Sequence, residues 1–156
     1  MNVLVDALAD ATGWTPDGSV TVTDTTSEEV VAGNQAAALQ IYFPAESGGD
    51  GVTKSVGPVD VTDYDQLVLT VWSRNLAGGT PHAFIECPHE LVLNGSERFG
   101  LTPRKYGPVQ VTLDISGISA ISEIAIRALT EAEDYLIVSN MVASVDDVPL
   151  DIFTGV

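Results

Sequence analysis

Val109-Gln110-Val111-Thr112-Leu113-Asp114-Ile115 sets an apolar side chain at every odd position and a polar one at every even position. A period of two is what a strand with one dry and one wet face requires, because successive side chains leave the backbone on opposite sides. The pattern recurs at Ala37, Leu39, Ile41 and Phe43, and again at Leu67, Leu69 and Val71. Almost no stretch carries the longer period of an amphipathic helix. The expectation is an all-β chain, a two-sheet antiparallel β-sandwich forming a single domain over residues 1–156.

Turn-forming clusters cut the chain at intervals suited to that architecture: Thr15-Pro16-Asp17-Gly18, Glu46 to Gly51, Ala77 to Pro81, Asn94-Gly95-Ser96 and Ser116-Gly117. Between them the pattern predicts strands near 3–8, 19–25, 36–43, 52–56, 66–74, 82–87, 90–93, 108–115, 122–129 and 134–144. Asn94-Gly95 suits a tight turn, since both residues tolerate positive φ. Residues 27–34 can form one helical turn behind Ser27-Glu28-Glu29, and Ile118 and Ile121 reach back to the core from a short turn. Trp14, beside Gly13 and a Pro-Asp-Gly turn, is expected to plug one end of the sandwich.

The 156 residues hold 22 acidic and 6 basic side chains, a formal charge of -16. Charged residues are only 18%, so the acidity reflects missing Lys and Arg rather than acidic runs. Such a field repels phosphate backbones and anionic bilayers, which argues against nucleic acid and membrane as partners. With 45% hydrophobic residues the chain can build a packed core. Nothing approaches the ~18 apolar residues of a membrane span, and Met1 to Asp6 lacks the basic start of a signal peptide. The lone Cys87 can form no internal disulfide.

Two stretches resemble the jelly-roll sandwiches of carbohydrate-binding modules and galactose-binding-like domains. The first is Val59 to Arg74, with Asp60, a short turn, Tyr64, and a central strand Leu67-Val68-Leu69-Thr70-Val71-Trp72 ending in Ser73-Arg74. The second runs from Tyr106 through Asp114-Ile115-Ser116-Gly117 and Ile121 to Ile126, closing on Tyr135-Leu136-Ile137. The resemblance covers the second half of the chain, and the first half only at Trp14 and Ala37 to Phe43. It implies the sandwich, a saccharide as one ligand class, and in some members a structural calcium. The final strand carries Ser139-Asn140 where that calcium would want an acidic pair.

Read residue by residue, the chain offers little reaction chemistry. Glu86-Cys87-Pro88-His89-Glu90 is the one cluster with soft ligands, and with His82 it still falls short of the four a structural zinc needs. A buried Cys87 and two hydrogen-bonded histidines are expected there, with no metal and no cofactor. Asp60, Asp63 and Asp65, and Asp17 and Asp50, sit in turns where Asp is an ordinary turn former rather than an ordered calcium ladder. No Gly-x-Ser-x-Gly elbow is present, and no pair among the 22 acids singles itself out for glycoside cleavage. The chain is read as a non-enzyme.

Two surfaces are candidates for binding. If Leu67, Leu69 and Val71 face the core, then Thr70, Trp72 and Arg74 face outward as a saccharide platform, with Tyr42 and Gln40 nearby. Arg98-Phe99-Gly100-Leu101-Thr102-Pro103-Arg104-Lys105-Tyr106 holds half of all basic residues. Arg98, Arg104 and Lys105, anchored by Phe99 and Tyr106, suit docking onto an acidic partner, with Phe153 of the apolar tail as a further contact. The leading expectation is a structural protein of a tailed-phage virion, decorating the head or building the tail. It would be made in the host cytoplasm and would contact copies of itself and other virion proteins. The alternative is a carbohydrate-binding module whose partner is a surface glycan held on the aromatic platform.

Overall fold

The computed structural model describes residues 2–25, 37–74, 89–101, 109–131 and 133–145, the last two positions of the second span by backbone only. Its strands are β1 (Asn2–Asp6), β2 (Thr15–Pro16), β3 (Thr21–Thr25), β4 (Ala38–Phe43), β5 (Gly51–Asp60) and β6 (Gln66–Arg74). They continue with β7 (His89–Leu93), β8 (Glu97–Leu101), β9 (Val109–Asp114), β10 (Ala120–Ala128) and β11 (Asp134–Ser144). One sheet runs β3-β4-β11-β6-β9 with β1 also on β11, and the other runs β2-β5-β10-β7-β8. Every ladder among the described residues is antiparallel, and no described residue is helical. The two-sheet sandwich is the architecture the alternation implied.

β11 organises the first sheet. One edge pairs with β6 along its length; the other is shared, with Asp134 to Val138 facing β4 and Met141 to Ser144 facing β1. Between Ser139↔Thr70 and Val142↔Val68, three steps along β11 match two along β6. The extra residue makes a β-bulge, and Asn140 takes a left-handed φ of 54° there. Its N–H donates to the Ala7 carbonyl at 3.0 Å. The bulge reverses the alternation: Leu136 and Val138 point into the core before it, Met141 and Ala143 after it. Ser139-Asn140 therefore shapes the backbone at the place where the resemblance suggested calcium ligands.

Leu39, Ile41, Phe43, Leu67, Leu69 and Val71 of the first sheet join Leu91, Leu93, Ile124 and Ile126 of the second in one hydrophobic cluster. Each such side chain contributes about 1.5–3 kcal/mol when fully buried. Trp14 lies in this cluster, and Ile121 is buried with Ile118 packed against it. The Lys54 ammonium stands 5.9 Å from the Trp14 ring and pairs with Asp6 at 2.7 Å. Asp6 also accepts the N–H of Leu8, a fully buried residue at φ 50°, so one carboxylate pins a strained turn at the mouth of the sandwich.

Three expectations are revised. Arg98 to Leu101, read as the start of a docking segment, belong to strand β8, which pairs with β7 across the Asn94-Gly95 turn, where both residues have positive φ. The strand expected at 52–56 runs on to Asp60, because a register irregularity accommodates Gly57-Pro58, and proline, lacking an N–H, is tolerated at such a place. Thr15–Pro16 forms a short edge strand on β5 that alternation over so few residues could not reveal. The expected strand at 82–87 and helical turn at 27–34 lie outside the described residues.

One polar contact crosses the dry interior. His89 of β7 places Nε2 3.4 Å from Asp134 Oδ2 of β11, with both side chains almost wholly buried and the imidazole 5.0 Å from the Phe43 ring. Removing one member takes this cross-sheet contact out of the buried interior. Asp134→Ala is expected to lower unfolding free energy by about 3 kcal/mol or more, measured by denaturant titration. The double change to His89→Leu and Asp134→Leu should cost clearly less than the sum of the single changes.

Acid sensitivity follows from the turns. Asp114 accepts the hydroxyl and N–H of Ser116, and Asp60 has the Thr62 side chain beside it and accepts the Thr62 N–H; these hold each carboxyl below its ordinary value of 3.8. A depressed folded pKa gives stability that is complete above 3.8 and is lost as pH falls through the folded value. Asp60→Asn with Asp114→Asn should flatten the stability profile below that pH, and an unchanged slope would refute the assignment.

Candidate functional site

The outward side of the first sheet brings aromatic residues from three parts of the chain into register. Thr21, Tyr42, Tyr135 and Arg74 form one cross-strand row from β3 through β4 and β11 to β6; Thr23, Gln40, Ile137 and Trp72 form the next. Their inward neighbours Ile41, Leu136 and Val71 are core residues, so strict alternation turns Tyr42, Tyr135, Gln40, Ile137 and Trp72 outward. The Tyr42 and Tyr135 rings lie 4.7 Å apart and tilted by 48°. Trp72 packs on Ala38 and Ile137 at the inner border of the pair.

Burial decides which of these residues a ligand can touch. Tyr42, Tyr135, Gln40 and Trp72 are half-buried, and Thr21 and Thr23 are exposed. Thr70, expected in the platform, is only 4% exposed, and its hydroxyl is shut from solvent. It belongs to a closed middle zone with Ala38, Val68, Ile137 and Ser139. The open part of the face is thus centred on the two tyrosines, with Trp72 beside them. Arg74 stands opposite Tyr135 in the ladder.

Tyr42 Oη donates to Glu133 Oε2 at 2.9 Å. That bond, with smaller contributions from burial and the nearby carboxylate charge, holds the phenol above the ordinary tyrosine value of 10.0. The pair fixes the ring's polar end while leaving its face for contact. Tyr135 and Glu133 were not among the residues singled out from sequence. The available signal was Tyr135 alternating with core Leu136, but only the β4–β11 register sets it beside Tyr42.

The proposed docking segment is divided by the structure. Arg98 and Phe99 lie on β8: Arg98 is held by Glu90 through Nε at 3.1 Å and Nη2 at 2.6 Å, and Phe99 packs against the core. Arg104, Lys105, Tyr106 and Phe153 lie outside the described residues, as do His82 and Cys87. Among the described residues no three His, Cys, Asp or Glu side chains gather in a metal-binding group.

No family model matches the sequence, and no curated protein matches it. Solved structures do. A family 11 carbohydrate-binding module from Clostridium thermocellum, in complex with a beta-1,3-1,4-mixed-linked tetrasaccharide, aligns with a TM-score of 0.61 at 11% identity, covering 92% of this chain and 95% of that one. A mutant of a family 29 carbohydrate-binding module aligns with a TM-score of 0.61 at 14% identity over 96% of each chain. The fold is the jelly-roll sandwich of carbohydrate-binding modules. The CBM22-1–GH10 modules of Clostridium thermocellum endo-1,4-beta-D-xylanase 10B, complexed with xylohexaose, align at 0.52 and 12% identity, over 96% of this chain and 29% of that longer one.

If Glu133 holds the Tyr42 hydroxyl, Glu133→Gln should bring the Tyr42 pKa back toward 10.0 in an NMR titration of the labelled ring. An unaltered titration would show that the pair does not persist in solution.

Proposed function

We propose that this chain is a glycan-binding module that holds a saccharide on the Tyr42–Tyr135–Trp72 face of its first sheet. The observation that carries the reading is the registered row of tyrosines, two rings 4.7 Å apart on the outward side of a rigid sheet, flanked by Gln40, Thr21 and Thr23. Pyranose rings present C–H faces that stack on aromatic rings, while their hydroxyls seek amide and hydroxyl partners. Both are supplied here by strands rather than loops, so the platform is preorganised and costs little entropy on binding. The likeness in fold to modules solved with bound saccharides supports the same reading.

The function is binding rather than catalysis. The groups gathered on the face are rings, an amide and hydroxyls, and its carboxylate, Glu133, is engaged with Tyr42. The competing reading, a structural protein of a virion, drew on the basic segment as a docking surface. Of that segment the described part holds Arg98 bound to Glu90 and Phe99 turned to the core, so the aromatic face supports glycan binding better.

Affinity gel electrophoresis against a panel of soluble neutral polysaccharides tests the proposal. At least one polysaccharide should retard the wild type, and Tyr42→Ala and Tyr135→Ala should each weaken that retardation about tenfold, as the loss of one stacked ring implies. Arg98→Ala, on the opposite sheet, should bind as wild type. Retardation by none of the panel, or undiminished binding by both tyrosine variants, would overturn the reading.

A further inference from the structure

The outward face of the second sheet carries a different chemistry. Gly100, Glu90, Arg127 and Gly51 align there in one cross-strand row from β8 through β7 and β10 to β5. Arg98, Val92, Ala125 and Thr53 make the adjacent row. Glu90, Val92, Gly95, Arg98 and Arg127 line a shallow depression. Glu90 is 7% exposed, and its carboxylate is taken by the Nε and Nη2 edge of Arg98. That side-on pairing leaves the Nη1 end of an otherwise exposed guanidinium available.

Arg127 stands directly opposite Glu90 yet is not paired with it. Among the described residues its side chain makes no hydrogen bond or ion pair, and its Nε is closed off from solvent without an acceptor. That N–H is closed to a ligand as well as to water, so an anion reaches Arg127 only through the part of its half-buried side chain that lines the depression. The backbone makes room for this side chain: a Cβ at Gly51 would run into the Ile126 carbonyl and the stem of Arg127.

The residues lining the depression carry two guanidinium groups and one carboxylate, with Glu123 beyond Gly95 at its rim, on a chain whose formal charge is -16. A single negative charge balances the guanidinium that Glu90 leaves unpaired. A dianion would meet both the Glu90 carboxylate and the field of the whole chain. Planar guanidinium groups match a carboxylate's two oxygens in geometry as well as charge. We propose that this depression is a binding site for one carboxylate group, with Arg127 as the principal partner and the free end of Arg98 as the second. The site is independent of the aromatic face, which lies on the other sheet.

The test is an NMR titration of the 15N-labelled full chain with sodium acetate, with sodium chloride matching the ionic strength and inorganic phosphate as a second anion. The Arg127 Nε–Hε resonance should shift saturably with acetate, with a Kd on the order of 1–10 mM, and should not shift with chloride. Arg127→Gln should weaken acetate binding at the surrounding backbone amides by about tenfold or more, while Tyr135→Ala should leave it unchanged. The wild-type resonance decides the matter even if Arg127→Gln fails to fold. No saturable shift in the wild type, an equal response in a folded Arg127→Gln variant, or tighter binding of phosphate than acetate would overturn the assignment.

Discussion

The bulge at Ser139-Asn140 is the constraint on which the first sheet depends. β11 must serve β6 along one edge and two different strands, β4 and β1, along the other. A strand of unbroken alternation would aim Met141 and Ala143 outward and turn Val142 into the core. One inserted residue restores the pattern, so that both halves bury their apolar side chains against the same second sheet. The penalty is a left-handed backbone, which Asn bears better than most residues.

This arrangement gives the sandwich two outward faces of opposite character. One aligns rings, hydroxyls and an amide from β3, β4, β11 and β6; the other aligns two arginines around a nearly buried glutamate on β10, β7 and β8. Both rest on strands whose inner sides interlock in a shared core. Interlocking fixes register, and register determines which side chains become neighbours. A binding surface made this way is rigid before any ligand arrives.

Much of the fold was legible because a sheet buried on one side writes its period into the chain. Val109 to Asp114 and Leu67 to Val71 read correctly for that reason, and Asn94-Gly95 announced its turn through backbone tolerance. Glu97-Arg98-Phe99-Gly100-Leu101 did not read as a strand, because Arg98 drew attention as a charge and Gly100 interrupted the pattern. Within the candidate site, Trp72, Tyr42 and Gln40 were visible from parity alone. Thr70 shared their parity but is buried, since facing outward from a sheet is not the same as reaching solvent.

The amino-acid order by itself determined the all-β class, most strand positions, the acidic field and the outward parity of Trp72 and Tyr42, because each is a local property of spacing or composition. Tertiary structure alone decided that Tyr135 meets Tyr42, that Glu133 takes the Tyr42 hydroxyl, and that Arg127 faces Glu90 without pairing to it. Those neighbours are far apart in the chain and are joined only through strand register. Register emerges from the packing of two whole sheets, so no stretch of sequence contains it.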